Sequence, residues 1–256
     1  IEPTRKVIQN VFEKHIIHAP GMEKIRELVT GPIIPTPGAV MEAAKLLYED
    51  IGDLVVIDVG GATTDVHSVT EGSEEITRMQ INPEPTAKRT VEGDLGVYVN
   101  MKNIVDLIGK EELARDLDLT IDKLEAVIEN HTPIPENDLD TAFTEKLTLS
   151  AAVTAVKRHA GRLRHLYGPG GKKTLAEGKD LTNIKYIIGT GGALTRLPNR
   201  VDILKEIPRS NKGNELLPNT EAEILVDNYY IMASLGVMSI NYPEAALKLL
   251  KESLKI

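Results

Sequence analysis

One stretch of the chain indicates most of the fold: Val55-Val56-Ile57-Asp58-Val59-Gly60-Gly61-Ala62-Thr63-Thr64, followed by Asp65. Its apolar run predicts a buried strand, and a second apolar run, Val66 to Val69, follows the glycine pair. Strand, glycine turn and strand form a β-hairpin whose backbone N–H groups can approach a phosphate chain. Asp58 ends the first strand, where it can hold a hydrated Mg²⁺ beside those phosphates. The stretch predicts a nucleotide site that does not follow the Walker pattern.

A second glycine-rich turn, Gly189-Thr190-Gly191-Gly192, follows the apolar strand Ile184 to Ile188 and precedes a helix. This arrangement suits a nucleoside that lies against bare backbone at a helix N-terminus. Taken alone, the first turn is also open to a simpler interpretation, a tight hairpin without a ligand. Two such turns far apart in sequence favour a clamp around one nucleotide.

Composition narrows the class of protein. The chain has 256 residues, of which 41% are hydrophobic and 27% charged, as in an ordinary globular protein. A net charge of −8 without a basic stretch argues against a nucleic-acid partner. Cysteine is absent, which excludes disulfides and thiolate metal sites in this chain and fits a cytoplasmic location. No apolar run approaches membrane-spanning length, so no membrane association is expected.

The other elements follow from hydrophobic periodicity and turn residues. A third strand, predicted at Glu75–Ile81, completes an antiparallel meander. A long helical period runs over Asp138–Tyr167, and Gly168–Lys173 is predicted to be a surface loop. The remaining predictions are helices at 3–18, 22–29, 39–48, 198–205, 228–240 and 243–254 and a strand at Glu223–Val226.

These elements divide the chain into four segments. The segments are crossing helices leading into the domain (1–52), a phosphate-hairpin meander (53–90), a mostly helical inserted subdomain (91–178), and an adenosine-side strand with closing helices (179–256). The chain begins at Ile1, within a helical pattern. We therefore expect a piece of a longer protein that lacks its N-terminal ATPase domain.

The order of these parts resembles the second half of the actin-like ATPase superfamily, which includes sugar kinases and the large heat-shock chaperones. There, a proline-bearing segment and helix precede an Asp-x-Gly-Gly-x-(Thr/Ser)-x-Asp hairpin, and a Gly-Gly turn near the adenosine follows. In this chain the stretches that look like these three parts are Pro35–Ala44, Asp58–Asp65 and Gly189–Gly192. The resemblance implies a mixed α/β chain with the second half of the ribonuclease H-like actin-type ATPase fold. That half is a mixed sheet starting with an antiparallel meander, flanked by helices, plus a helical insertion.

Within this superfamily the sequence of the motifs resembles that of the MutL family, which is unrelated to the mismatch-repair protein of the same name. The similar runs are Val56–Val69, Thr90–Gly96 and Gly189–Thr195. MutL proteins of this kind are accessory, reactivating proteins of adenosylcobalamin-dependent glutamate and ornithine mutases. The resemblance implies a chaperone-like protein that binds ATP or ADP with Mg²⁺ and has a cobalamin-dependent mutase as its protein partner.

The resemblance also assigns roles to residues. It implies that the hairpin amides bind the β- and γ-phosphates, that Asp58 holds Mg²⁺ through water, and that Glu92 or Gly93 borders the ribose or the base. One of the two hairpin threonines is expected to bond phosphate while the other closes the turn. The implied nucleotide-binding residues are Gly60, Gly61, Ala62, Thr63, Thr64, Glu92, Gly93, Gly191 and Gly192.

One departure limits this assignment. No Asp precedes Asp50, so the superfamily's first phosphate motif is missing from this chain. ATPase activity is therefore expected of a full-length protein, and no catalytic residue is assigned. Two other functions stay open: a small-molecule ATP-dependent enzyme, such as a kinase or a hydantoinase-like amidohydrolase, and a filament-forming actin-like protein.

Other candidates have simpler explanations. His15 and His18 have a metal-binding spacing but no third ligand, and they are assigned to a solvated helix face. Gly168–Thr174 resembles a P-loop superficially, but Lys173 stands where Ser or Thr is required. His67 is predicted to be a packed or edge-exposed strand residue.

Overall fold

The computed structural model describes residues 33–168 and 171–256, together with the isolated positions 7, 11, 24, 28, 29 and 31. The helices predicted at 3–18 and 22–29, with His15 and His18, lie outside the described residues apart from those positions. The helices are α1 (Thr36–Ile51), α2 (Glu74–Met79), α3 (Met101–Ile108), α4 (Lys110–Asp116), α5 (Ile121–Glu129), α6 (Asp138–His159), α7 (Gly191–Arg196), α8 (Arg200–Arg209), α9 (Met232–Ser239) and α10 (Pro243–Leu254). The strands are β1 (Leu54–Val59), β2 (Thr64–Val69), β3 (Ala87–Glu92), β4 (Arg162–Gly168), β5 (Gly171–Glu177), β6 (Tyr186–Thr190) and β7 (Glu223–Val226).

The main sheet has the strand order β3-β2-β1-β6-β7. The first three strands in the chain pair antiparallel, while β6 and β7 add parallel to β1. A mixed sheet that starts with an antiparallel meander is therefore confirmed, as expected for the second half of the ribonuclease H-like actin-type fold. Helices α3 to α6 confirm a helical insertion between the meander and β6.

Strand β1 is apolar up to Asp58 because helices cover both faces of the sheet. Val55, Ile57 and Val59 pack with α6 and the inserted helices, whereas Leu54 and Val56 pack with α1, α9 and α10. Apart from Asp58, the residues of β1 and β2 are all buried. A strand buried on both faces has a continuous apolar run, which is why β1 was visible in the sequence.

The third strand predicted at Glu75–Ile81 is wrong. Those residues form α2, which begins after an N-cap at Ser73 whose hydroxyl accepts a hydrogen bond from the Ile76 N–H at 3.2 Å. Two acidic residues in the first turn favour the same helix. The third strand is β3, whose residues alternate between partly buried and exposed and pair in register with β2. The predicted segment boundary at 90/91 falls inside this strand.

The helix predicted over Asp138–Tyr167 is confirmed as far as His159, but its predicted end and the bounds of the loop predicted at Gly168–Lys173 are wrong. Helix α6 ends at His159, and β4 and β5 form a separate two-stranded sheet. The chain leaves the helix at Gly161, where a Cβ would overlap the backbone of 177–178. That close approach needs glycine and diverts the chain into a strand.

The remaining elements agree in type with the sequence prediction. The helices predicted at 39–48, 198–205 and 228–240 occur at Thr36–Ile51, Arg200–Arg209 and Met232–Ser239. The strand predicted before the second glycine turn occurs two residues later, at Tyr186–Thr190, and the last helix and the short strand occur as predicted. No helix in the described part of the chain is both long enough and apolar enough to cross a membrane.

Candidate functional site

The loop between β1 and β2 has all its carbonyl groups engaged. The Gly60 N–H bonds to the Thr63 carbonyl at 2.9 Å, and the Gly60 and Gly61 carbonyls accept hydrogen bonds from the backbone of 97–99 at 2.7–3.1 Å. The Ala62 carbonyl accepts a 2.8 Å bond from the Asn100 side chain. The N–H groups of residues 61–63 donate no hydrogen bond to any residue of the described ranges. Three adjacent amides are therefore left for an acceptor such as phosphate.

A segment after β3 holds this loop in place. A Cβ on Gly96 would overlap the Ala62 backbone, so the two chains can pack at this distance only with glycine. The Leu95 carbonyl accepts a 2.6 Å bond from the hydroxyl of Thr64, which is fully buried. Thr64 is thus used to close the structure, while the Thr63 side chain bonds to the Asp65 carboxylate.

The second glycine turn lies beside the first. Strand β6 runs parallel to β1 with Thr190 opposite Asp58, so both strands end at the same edge. Gly191 has φ +84°, and a Cβ there would overlap the Asp58 carboxylate and the Val59 backbone. A Cβ on Gly192 would meet nothing within 4 Å. Ligands of open α/β sheets bind at the carboxyl ends of such parallel strands.

Two carboxylates face each other across the hairpin. Asp58 and Asp65 are register partners on the sheet face covered by α1. Burial, followed by the nearby carboxylates of Asp65 and Asp227, raises the pKa of Asp58 to about 7. Burial raises the pKa of Asp65 to about 6, against the lowering effects of Thr63 and Arg89. Carboxyl groups shifted in this way lie where a cation would be attracted strongly.

These residues fit a hydrated magnesium ion. Asp65 is 4% exposed, and its Oδ1 atom has no hydrogen-bond partner among the described residues. The same ranges hold no group of three or more His, Asp or Glu side chains arranged to bind a metal directly. Two carboxylates suffice for Mg²⁺, which keeps several waters and uses phosphate oxygens as its other ligands. Asp65 was quoted in the sequence motif without a role, and its facing position came only from the strand register.

A buried carboxylate after β7 holds the second turn. Asp227 is 1% exposed and accepts hydrogen bonds from the hydroxyls of Thr190 and Ser253 at 2.9 and 2.6 Å. It also accepts bonds from the N–H groups of Ile231 and Met232 at 3.2 and 2.9 Å, which caps α9. This residue was missed, although an Asp directly after an apolar strand repeats the pattern of Asp58.

The loop after β7, which contains Asp227, also carries a tyrosine close to the two glycine turns. Tyr230 is half exposed and has φ +56°, a left-handed conformation that a bulky residue rarely adopts. Burial and then the Asp58 carboxylate raise the pKa of Tyr230, so its phenol lies near the two glycine turns. No signal in the sequence indicated this position.

Glu92 and Gly93 lie on the far side of the hairpin from Gly191. Glu92 is the last residue of β3 and pairs with Thr64 of β2. Its carboxylate accepts a hydrogen bond from the Arg158 guanidinium at 2.7 Å. Arg158 also bonds to both oxygens of Asp94 at 2.8–3.0 Å. The Gly93 carbonyl accepts a bond from Asn100 at 2.8 Å. The structure therefore brings the hairpin and Gly191–Gly192 together, while Glu92 joins an ion-pair cluster that sequence reasoning missed.

The histidines of the region have structural surroundings. His67 is fully buried, neither ring nitrogen has a partner among the described residues, and burial lowers the pKa of His67 to about 3. His159 joins α6 to the sheet through bonds to Ser68 and Thr90 at 2.7 and 2.9 Å. His67 is thus a packed residue, one of the two predicted alternatives.

Comparison with known proteins agrees with the sequence resemblance. A family model described as MutL protein matches residues 1–254. Protein MutL of Clostridium tetanomorphum is 36% identical over 267 residues, which cover 99% of this chain and 58% of that protein. The chain thus spans a little over half the length of this curated relative.

Solved structures give remote similarities. The ethanolamine utilization protein EutJ from Carboxydothermus hydrogenoformans is 14% identical with a TM-score of 0.33, covering 82% of this chain and 53% of that one. A ROK family glucokinase from Streptomyces griseus, in complex with glucose and AMPPNP, is 14% identical with a TM-score of 0.38, covering 92% and 73%. The sequence matches carry the assignment: this chain belongs to the MutL family.

Proposed function

We propose that this chain is the nucleotide-binding part of an ATP-dependent, chaperone-like protein that reactivates an adenosylcobalamin-dependent mutase of the glutamate or ornithine type. The single observation that carries the nucleotide site is the meeting of two glycine turns at one edge of the sheet, with Asp58 between them. The protein is proposed to act in the cytoplasm.

The phosphate chain is proposed to lie on the loop of residues 60–63. Three adjacent N–H groups without a partner in the described ranges are donors of the kind that bind anions. Thr63, whose side chain bonds to Asp65, links this loop to the carboxylates. Because the loop carbonyls already accept hydrogen bonds from the Gly60 N–H and from residues 97–100, the loop does not need to reorganise when phosphate binds.

Asp58 and Asp65 are proposed to hold Mg²⁺ through water next to the phosphates. The ion supplies positive charge between the carboxylates and the phosphate oxygens, which offsets their mutual repulsion. Asp65 is the more buried of the two, so Asp58 is the carboxylate that faces the ligand.

The adenosine side is proposed to lie against Gly191 and Gly192. Gly192 leaves open space where a side chain would project, and Asp227 fixes the position of Thr190 ahead of it. The half-exposed Tyr230 lies at the same place and offers an aromatic surface to the nucleoside.

Phosphoryl transfer depends mainly on positioning and charge stabilisation. The relative extends well beyond the length of this chain, and we propose that the opposing half of the ATP site belongs to that remainder. Closure of the two halves around ATP would then switch the affinity for the mutase.

The nucleotide site can be tested by titrating Mg²⁺–ATP into the full-length protein. Asp58→Ala is expected to weaken binding by about 10-fold or more, because the carboxylate beside the metal is lost. Asp122→Ala, on the exposed surface of α5, is the matched control and should leave affinity unchanged. Equal affinity of the Asp58 variant and the wild type would remove the proposed role of that residue.

The partner is tested separately. The mutase of the same organism is inactivated by turnover and then incubated with the full-length protein, free cobalamin and ATP. We expect recovery of mutase activity only when ATP is present. Absence of both mutase binding and recovery would refute the reactivating role. ATP-dependent turnover of a sugar or a hydantoin would favour the small-molecule alternative, and nucleotide-dependent polymerisation the filament.

A further inference from the structure

The hairpin formed by β4 and β5 is attached near its base to the rest of the described chain. The Leu163 N–H bonds to the Asn214 carbonyl at 2.7 Å, and the Ile81 N–H bonds to the Ala176 carbonyl at 3.1 Å. Leu163 and Ala176 pack with Ile76 in a small apolar cluster. Beyond this base, strands rising about 3.3 Å per residue carry Gly168 roughly 13 Å past Arg164.

The distal half of the hairpin, residues 165–168 and 171–174, exposes apolar side chains on both of its faces. Leu166 is 53% exposed and Tyr167 is 78% exposed. Leu166 lies opposite Lys173, and Tyr167 lies opposite Lys172. Since neighbouring strand residues point to opposite faces, each face presents one apolar residue beside one lysine. The distal half therefore has the same chemistry on its two sides.

The charge of this hairpin is opposite to that of the chain. Residues 162–177 carry four basic side chains and one acidic side chain, a net charge of +3, in a chain whose net charge is −8. Arg164 pairs with the one acidic residue, Glu177, at 2.6 Å. Lys172 and Lys173 are exposed and form no ion pair with any residue in the described ranges. The distal half thus carries two uncompensated positive charges.

The base of the hairpin is joined to the candidate nucleotide site through the end of α6. Arg158 bonds to Glu92 and Asp94, in the segment that packs on the phosphate loop. His159 bonds to Ser68 and Thr90 on β2 and β3. Strand β4 begins three residues later, at Arg162. A short series of direct contacts therefore connects the phosphate loop to the hairpin.

We propose that the distal half of this hairpin is a docking element that enters a cleft with acidic walls on the protein partner. A surface that is alike on two sides suits insertion between two walls rather than contact with one flat face. Exposed aromatic and apolar residues beside lysines favour a protein cleft, while the net charge of −8 disfavours the phosphates of a nucleic acid. The partner's identity as a mutase rests on the proposed function.

The experiment uses the full-length protein and the purified cobalamin-dependent mutase of the same organism. Changing both Lys172→Glu and Lys173→Glu is expected to weaken mutase binding by about 10-fold or more at low salt. That difference should shrink as NaCl rises from about 0.05 M to about 0.5 M, because screening removes the attraction. The matched control changes two exposed helix lysines, Lys123→Glu and Lys248→Glu, so that its net charge equals that of the hairpin variant. Tyr167→Ser should weaken binding with little dependence on salt.

The outcomes separate the two proposals. If the wild type binds the mutase and the hairpin variants bind as tightly as the control, the docking element is refuted while the reactivating role stands. If the hairpin variants alone change the sedimentation of the protein without the mutase, the hairpin contacts a second copy, which also refutes the proposal. If the wild type binds no mutase in any nucleotide state, the proposed function fails first and the docking inference with it.

Discussion

Two β-hairpins with glycine at their ends, β1–β2 and β4–β5, have opposite surroundings in this molecule. The first lies in the centre of a five-stranded sheet between β3 and β6, with helices on both faces. The second is a sheet of its own, anchored at its base and exposed at its distal half. The contrast shows that burial determines which atoms a hairpin can offer to a ligand.

The buried hairpin offers backbone. Its side chains are used in the core, so the groups left at its tip are the N–H groups of 61–63 and the carboxylate of Asp58. The projecting hairpin offers side chains, because Tyr167 on β4 and Lys172 and Lys173 on β5 are exposed. Rigid backbone suits a small anion, and projecting side chains suit another protein.

We expect the largest change in stability at the glycine that lets the turn after β6 approach the first hairpin. Gly191→Ala is expected to cost about 3 kcal/mol or more, since φ is +84° and the new Cβ meets the Asp58 carboxylate and the Val59 backbone. Gly192→Ala is the matched control and should change stability by less than about 0.5 kcal/mol, because its Cβ points into open space. Urea unfolding of both variants measures the difference. Equal stabilities would show that the two turns do not meet as described.

The carboxylates of the first hairpin predict that the stability of the protein depends on pH. The pKa of Asp58 is raised to about 7, so near neutral pH the folded state binds a proton that the unfolded state has released. The contribution of the protonated Asp58 carboxyl to the free energy of unfolding is fully present below about pH 4 and is lost as the pH rises through about 7. Asp58→Asn should therefore stabilise the protein by on the order of 2 kcal/mol at about pH 8 without Mg²⁺, and by much less at about pH 4.

Thermal unfolding of wild type and variant at the two pH values checks this prediction. The buried His67, whose pKa of about 3 has the opposite effect on stability, is present in both proteins and cancels from the difference. A gain that is the same at acidic and alkaline pH would contradict the raised pKa.

A matched pair of truncations compares the two hairpins directly. Val66→Ala removes two methyl groups from a fully buried position in β2 and is expected to cost about 2 kcal/mol. Leu166→Ala removes more atoms from an exposed position in β4 and should cost less than about 0.5 kcal/mol. Chemical denaturation measures both. A large cost for Leu166→Ala would mean that the second hairpin packs on something and does not project.

A small, salt-dependent effect is expected where the two hairpins are joined. Arg158→Gln removes the ion pairs to Glu92 and Asp94, but the Arg158 side chain is 41% exposed, so the loss should be about 0.5–1 kcal/mol. The hydrogen bonds from Arg158 are also the main cause that holds the pKa of Asp94 below its usual value.

The ionic origin of this effect can be checked with salt. The destabilisation caused by Arg158→Gln should disappear at high NaCl, because screening weakens exposed ion pairs. Chemical denaturation of wild type and variant at low and high NaCl measures it. A loss of stability that persists at high NaCl would mean that packing of the Arg158 side chain, and not its charge, stabilises the junction.

How far the sequence could be interpreted depended on where each strand lies. Leu54–Val59 is buried on both faces, so its apolar run indicated a strand directly. Ala87–Glu92 lies at the edge of the sheet with alternating exposure and carries Lys88, Arg89 and Glu92, so no apolar run indicated it. Its strand character comes from pairing with β2, a contact that local sequence does not contain.

The second hairpin was missed for a related reason. Arg162–Glu177 has few apolar residues, and a preceding helical period appeared to continue into it. The helix α6 stops because His159 bonds to Ser68 and Thr90 and because Gly161 packs against the backbone of 177–178. These partners are distant in sequence, so the end of the helix was not visible locally.

Local sequence was enough to establish the family, the central hairpin and the two glycine turns, because each depends on residues that are contiguous in the chain. The folded chain was needed to show that the turns meet at one edge, that Asp65 faces Asp58, and that Glu92 is held by Arg158. Strand register and close backbone approach set these neighbours, and both arise from packing between segments far apart in sequence.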